Sequence, residues 1–163
     1  MVQVFISIGS NVDREQNIRS AVAALRERWG RLTLSPVYES APVGFRGGNF
    51  YNLVAGLDTR TPAARLLDEL AALERAHGRT RGADRFVSRT LDLDLLLYGD
   101  LILRVGSHPI PHPDIALYAF MLRPLSEIAP DVIHPQTSEN LGTMWSHFSG
   151  KNQVLWPAPL NDL

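Results

Sequence analysis

Two helical patterns, each flanked by two strand patterns, constrain the fold of this chain most. Strands are predicted at residues 2–8, 31–39, 50–58 and 89–98, with helices at 14–29 and 62–77. Two successive strand–helix–strand units with their helices on one side of a sheet are typical of a ferredoxin-like fold. The sequence therefore predicts an α+β fold, a ferredoxin-like split βαβ sandwich with an antiparallel or mixed sheet and helices packed on it.

The segment that begins at Ser107 is marked by prolines and carries one short helical pattern near residues 114–122. We expect it to be a proline-rich C-terminal extension. The 163 residues are 45% hydrophobic and 20% charged, which suits one globular core. We therefore expect a single domain over residues 1–163.

Single residues refine this outline at the predicted turns. Asp13 is expected to cap the first helix, and Gly30 to end it. Pro36 indicates an edge or a bulge in the second strand. Residues 40–49 lack periodicity and are rich in Gly and Pro, which predicts a loop long enough to carry function.

Charge and cysteine content exclude several classes of protein. A formal net charge of −1 argues against binding nucleic acid through overall charge, so an RNA-binding sheet is not favoured. No cysteine is available for a disulfide or a thiolate metal site. The N-terminus lacks a signal-peptide pattern, and no apolar run approaches the roughly 20 residues of a membrane span. We expect a cytoplasmic protein without nucleic-acid or membrane partners.

The strand RTLDLDLLLY carries two aspartates within the most hydrophobic run of the chain. Side chains alternate between the faces of a strand, so Asp92 and Asp94 share one face and the neighbouring leucines share the other. Paired carboxylates are hard oxygen ligands, and Mg²⁺ commonly takes one or two of them together with water and phosphate oxygens. The alternative is the solvated face of an edge strand.

An arginine cluster, RAHGRTRGADRFVSR, precedes this strand and contains Arg79, Arg81 and Arg89. The planar fork of arginine binds phosphate in a bidentate way. Arginines beside paired aspartates indicate a polyphosphate bridged by metal. The alternative is a solvated loop whose arginines pair loosely with Asp84 and Glu74.

Six aromatic residues surround the two irregular stretches and could sandwich a planar heterocycle whose edge is read by Ser40 and Asn52. They are Tyr38, Phe45, Phe50, Tyr51, Phe86 and Phe120. Core packing is the alternative for each ring taken alone. His108 and His112 lie among prolines, which favours loop packing or a phosphate contact over metal ligation.

Several blocks, spread over about residues 3–135, together resemble the 6-hydroxymethyl-7,8-dihydropterin pyrophosphokinase family. They are GSN at 9–11, Y-x-S-x-P-x-G from Tyr38, F-x-N from Phe50, Glu74 followed by G-R-x-R from Gly78, R-T-L-D-L-D from Arg89, Pro111-His112, and FMLRPLSEIAPD from Phe120. The R-T-L-D-L-D block followed by an aliphatic run is the most specific of these.

The resemblance implies a ferredoxin-like enzyme of folate biosynthesis that transfers the pyrophosphoryl group of ATP to the pterin hydroxymethyl oxygen and releases AMP. It implies that Asp92 and Asp94 hold two Mg²⁺ ions, and that these two residues act in catalysis with Arg79 and Arg89. ATP binding is implied for Glu74, Arg81, Arg89 and His112, and pterin binding for Ser40, Val43, Phe50, Asn52 and Phe120. The expected partners are these two small molecules, and the expected state is a monomer.

The chain also departs from the family pattern. Phe86-Val87-Ser88 stands where members usually have Trp-Gly-Pro, and Tyr118 and Ser107 stand where members carry arginines. Ala71 stands where some carry a glutamine. These departures support the alternative of a diverged paralogue that binds a pterin or nucleotide with little turnover.

Overall fold

The computed structural model describes residues 1–43, 47–78, 91–150 and 152–163. Within these ranges the strands are β1 Val2–Ser10, β2 Thr33–Leu34, β3 Tyr38–Ser40, β4 Phe50–Thr59, β5 Asp92–Tyr98, β6 Leu103–Val105, β7 His108–Ile110 and β8 Trp156–Pro157. The helices are α1 Arg14–Trp29, α2 Ala63–Ala76, α3 Ala119–Ile128 and α4 Leu141–Ser146, with a 3₁₀ turn at Pro113–Ala116.

The main sheet has the strand order β5-β1-β4-β3-β8, and β2 pairs with the other end of β4. All of its pairings between described residues are antiparallel. Helix α1 follows β1 and leads through β2 and β3 to β4, and α2 joins β4 to the outer strand β5. Because β1 lies between β5 and β4, the two βαβ units interleave. The predicted α+β, ferredoxin-like fold is confirmed. Strands β6 and β7 form a separate hairpin.

Helices α1 and α2 cover one face of this sheet, as their leucine and isoleucine spacing predicts. Ile18 and Leu25 of α1 and Leu66 and Leu70 of α2 are fully buried in one apolar cluster. Alternate residues of the strands, such as Ile6, Ile8 and Leu93, complete that cluster. Burial of these side chains is the main stabilising contribution to the docking of both helices.

The helices of the two βαβ units lie on one side of the sheet, as predicted, and a second layer that the sequence analysis did not describe, α3 and α4, covers the opposite face. Leu122, Leu125 and Leu141 pack there with Phe5 and Leu96 in a second buried cluster. The pattern near residues 114–122 spans the 3₁₀ turn and the first half of α3, which continues past a buried proline, Pro124. Proline is a helix breaker in a sequence pattern, but here tertiary packing holds the helix together.

The structure also tests the expectations at Pro36 and Asp13. The predicted strand 31–39 is divided around Pro36 into β2 and β3, where an edge or a bulge was expected, and the hydroxyl of Ser35 accepts the Val54 N–H at 2.8 Å beside the break. Asp13 does stand at the start of α1, but in a left-handed conformation (φ 43°) and without a side-chain capping hydrogen bond. The backbone turn rather than the carboxylate therefore starts the helix.

No helix in the described ranges is both long enough and apolar enough to span a membrane.

Candidate active site

A row of polar and small residues crosses the sheet on the face that carries α3. Asp94 pairs with Ser7, and Asp92 with Gly9, which in turn pairs with Asn52 of β4. Directly paired residues of antiparallel strands project to the same face. The strand pairing thus places both aspartates on the same sheet face as Asn52, two strands away, although they are distant in sequence.

These residues line a cavity of about 550 Å³, a size typical of small-molecule sites. It lies between the sheet, the end of α2, the β6–β7 hairpin and the start of α3. Among the residues predicted to form the site, the lining includes Ser40, Val43, Phe50, Asn52, Glu74, Asp92, Asp94, His112 and Phe120. Arg79, Arg81 and Arg89 lie outside the described residues.

His112 is oriented toward the aspartate pair by the backbone that follows it. Its Nδ1 accepts the Asp114 N–H at 3.1 Å, so in the neutral ring the proton is on Nε2. Nε2 lies 3.8 Å from Oδ1 of Asp94. Both side chains line the cavity, so a hydrogen-bond donor stands next to a carboxylate there.

Glu74, in the last turn of α2, is only 2% exposed. Its Oε2 accepts the backbone N–H of Leu93 at 2.9 Å. Leu93 stands between the two aspartates, so this bond holds the aspartate-bearing end of β5 against α2. Glu74 therefore has a structural role that its sequence context did not predict.

The Glu74 contact gives a stability prediction. Replacing Glu74 by Leu leaves the buried Leu93 N–H without this acceptor, and we expect unfolding free energy to fall by about 1–3 kcal/mol. Glu74→Gln keeps an acceptor oxygen and should lose less. Urea unfolding measures both, with the exposed Glu27→Leu on α1 as control. Equal stability of Glu74→Leu and Glu27→Leu would contradict the assignment.

Ser40 and Asn52 form the polar wall on the far side of the cavity. Both are buried, and Asn52 Nδ2 donates to Ser40 Oγ at 2.7 Å. A Cβ atom on Gly9 would lie 3.0 Å from Asn52 Oδ1, so the glycine leaves room for this amide. Phe50 and Phe120, from β4 and α3, supply apolar surface in the same cavity.

Comparison with known proteins identifies the family and agrees with the fold. The family model described as 7,8-dihydro-6-hydroxymethylpterin-pyrophosphokinase (HPPK) matches residues 5–130. The chain belongs to this family. The pyrophosphokinase enzyme class expected from the sequence is thereby confirmed.

Three similar proteins illustrate the match. Two are named 2-amino-4-hydroxy-6-hydroxymethyldihydropteridine pyrophosphokinase. The one from Haemophilus influenzae is 36% identical over 141 residues (84% of this chain, 88% of that protein), and the one from Pseudomonas aeruginosa is 38% identical over 140 residues (83% and 86%). A solved HPPK-DHPS in complex with substrates has a TM-score of 0.68 at 12% identity. It matches 93% of this chain, which spans 44% of that solved chain.

Only part of the aromatic set lines the cavity of this HPPK family member. Phe50 and Phe120 do, and Phe45 and Phe86 lie outside the described residues. Tyr51 instead packs with α1, where the Arg14 guanidinium lies 3.8 Å from its ring centre. Tyr38 is buried, donates its hydroxyl to Glu127, and stacks under Arg123 at 4.7 Å.

Burial, followed by the contact with Glu127, raises the pKa of Tyr38 to about 12. An unfolded tyrosine ionises near pH 10, so folding keeps the proton on and stability should decrease as pH rises from about 10 to 12. Tyr38→Phe should flatten this decrease in urea unfolding. A parent protein with the same profile as Tyr38→Phe would contradict the assignment.

Arg104, Tyr118 and Met121 are among the cavity residues that the sequence analysis did not assign to the site. Tyr118 was noted only as a departure from the family pattern, yet its ring stacks on Phe120 with centroids 5.3 Å apart. Its position two residues before Phe120 could have indicated that it lies near the predicted pterin site. Arg104 reaches the cavity because the β6–β7 hairpin folds beside β5, which no local pattern shows.

The carboxylates in the cavity suit Mg²⁺ better than a metal ion that is bound by protein side chains alone. Asp92 and Asp94 offer two carboxylates to one cavity, and the described residues hold no group of three or more His, Cys, Asp or Glu placed to bind a metal. Structural zinc needs about four such ligands, whereas Mg²⁺ usually takes few carboxylates and completes its shell with water and phosphate oxygens.

Proposed function

We propose that the chain transfers pyrophosphate from ATP to 6-hydroxymethyl-7,8-dihydropterin, giving AMP and the pterin diphosphate, as a step of folate biosynthesis. The observation that carries the proposal is the row of paired residues that places Asp92, Asp94 and Asn52 on one sheet face and in one cavity. A phosphate-binding half and a heterocycle-binding half thus adjoin, as a transfer between two bound substrates requires.

The pterin would bind between Phe50 and Phe120, which come from separate elements and face the same cavity. Its ring is flat and its edge carries hydrogen-bond donors and acceptors. Ser40 and Asn52 are buried polar groups at that place and can pair with the edge, while Val43 adds apolar contact at the start of the loop.

ATP would lie over the aspartates, with its polyphosphate directed toward the reacting end of the pterin. Glu74 and His112 line this part of the cavity. We assign Arg79, Arg81 and Arg89 to the polyphosphate from the sequence motif alone. The triphosphate is densely negative, so such cations would stabilise both the bound polyphosphate and the charge that develops during transfer.

Asp92 and Asp94 would hold two Mg²⁺ ions; bound there, magnesium supplies charge neutralisation at the polyphosphate. The chain's own contribution is positioning. The hydroxymethyl oxygen attacks the β-phosphorus and loses its proton to solvent, the bond from that phosphorus to the α,β-bridging oxygen breaks, and AMP leaves. We assign no side chain as general base.

The deciding experiment measures AMP and pterin diphosphate from ATP, MgCl₂ and the hydroxymethyldihydropterin. We expect both products in equal amounts, with no AMP when the pterin is omitted. If calorimetry shows pterin binding but no product forms, the proposed transfer is wrong and the chain is the diverged, ligand-binding paralogue. A control with EDTA tests the metal, since chelation should stop turnover of the parent.

A further inference from the structure

The C-terminal segment 152–163, which lies beyond the residues matched by the family model, reaches back to the cavity wall through Gln153. The side-chain amide of Gln153 makes two hydrogen bonds to the backbone. Its Oε1 accepts the Ala119 N–H at 2.8 Å, and its Nε2 donates to the Leu117 carbonyl at 2.8 Å. One amide thus holds the chain on both sides of Tyr118.

Ala119 is the first residue of α3, where backbone N–H groups have no acceptor within the helix. Tyr118 occupies the capping position but makes no side-chain capping bond. Gln153 therefore supplies, from 34 residues further along the chain, the acceptor that a local cap would otherwise provide. The position of the α3 start thus depends on the C-terminal segment.

The same segment is also anchored on the opposite wall. Strand β8 pairs with Tyr38 and Glu39 of β3, the strand that ends at Ser40. Ala158 donates its N–H to the Val37 carbonyl at 2.9 Å, and Leu160 is buried in the core under α1 and α2. The segment therefore connects the element that carries Ser40 with the element that carries Phe120.

We propose that Gln153 is a positioning residue for the pterin-binding wall, a role that rests on the proposed function for the identity of the ligand. By holding residues 117–119, its amide sets where the Phe120 ring stands relative to Phe50 and Asn52. The ATP half of the cavity is built mainly from β5 and α2 and depends less on this contact. Loss of the amide should consequently weaken pterin binding selectively.

The test compares Gln153→Ala with the parent in the full chain. We expect the dissociation constant of 6-hydroxymethyl-7,8-dihydropterin to rise about three- to tenfold, as the loss of two backbone hydrogen bonds suggests. The dissociation constant of a non-hydrolysable ATP analogue should change by less than about twofold. By NMR, the Ala119 amide should exchange faster with solvent, because its acceptor is gone.

Two further variants complete the design. Asn152→Ala changes the exposed neighbouring residue, whose side chain makes no hydrogen bond with the described residues, and should behave as the parent. Gln153→Glu keeps an acceptor for Ala119 but places a carboxylate oxygen against the Leu117 carbonyl, so its pterin affinity should fall below that of the parent. If Gln153→Ala does not fold, the pterin affinity of Gln153→Glu is the test, and a parental value would overturn the inference.

Pterin affinity of Gln153→Ala equal to that of Asn152→Ala would overturn the inference, and so would equal losses of pterin and ATP-analogue affinity. A parent that binds no pterin would instead overturn the proposed function. The exchange of the Ala119 amide separates these two failures, because it reports the Gln153 contact without any ligand.

Discussion

Asp94→Asn is expected to lower pyrophosphoryl transfer on the order of a hundredfold or more, while the protein remains folded. The side chain of Asp94 is 31% exposed and lines the cavity, and Asn has nearly the same size. The backbone pairing of residue 94 with Ser7 does not require the carboxylate. Removal of the negative charge should therefore act on the bound cation and polyphosphate rather than on the fold.

Thermal melts separate these effects. In the parent, MgCl₂ with a non-hydrolysable ATP analogue should raise the melting temperature, because a ligand that binds only the folded state stabilises it by mass action. Asp94→Asn should lose most of this increase. Asp58→Asn, an exposed aspartate within β4, is the matched control and should keep both the increase and the activity. Parental turnover in Asp94→Asn would refute the metal assignment.

Phe120→Ala is expected to weaken pterin binding by about 1–3 kcal/mol, the range for lost burial and ring contact together. The ring lines the cavity from the start of α3 and is stacked on Tyr118. Binding of an ATP analogue should change much less, since the proposed ATP half lies over β5. Calorimetry with each ligand gives both numbers.

Phe148→Ala is the control for this measurement. Phe148 forms a similar stacked pair with Trp145, 5.4 Å between centroids, but it does not line the cavity. It should affect stability without a preference for either ligand. If Phe120→Ala reduced both affinities equally, Phe120 would be a core residue and the pterin would bind elsewhere.

Much of the fold follows from patterns that act over a few residues. Leucines spaced three or four apart in α2 predict a buried helical face, and alternation in β5 predicts that Asp92 and Asp94 share a face. Both are consequences of local backbone geometry, so they survive in any tertiary context. The family motifs add the grouping of the aspartates with Ser40, Asn52 and Phe120, which local geometry alone does not predict.

The sequence pattern indicated only part of α3 and none of α4. A proline interrupts α3 and α4 has only six residues, and the burial of both depends on a sheet face formed by residues far away in the chain. The aromatic residues were equally hard to assign from sequence. Tyr38 and Phe50 both flank the loop at 40–49, yet Tyr38 is buried against Glu127 and Phe50 lines the cavity. Which ring meets a ligand is decided by strand pairing and helix packing.

By itself, the sequence determined the order of the two strand–helix–strand units, the face shared by the two aspartates and the family, because each depends on neighbours in the chain or on a recognisable motif. Only the tertiary structure decided that Glu74 would hold Leu93, that Arg104 and Tyr118 would join the cavity wall, and that Gln153 would cap α3. Each of these contacts joins residues that are far apart in sequence or on separate elements. Such contacts form only when the sheet and its two helical layers are in place.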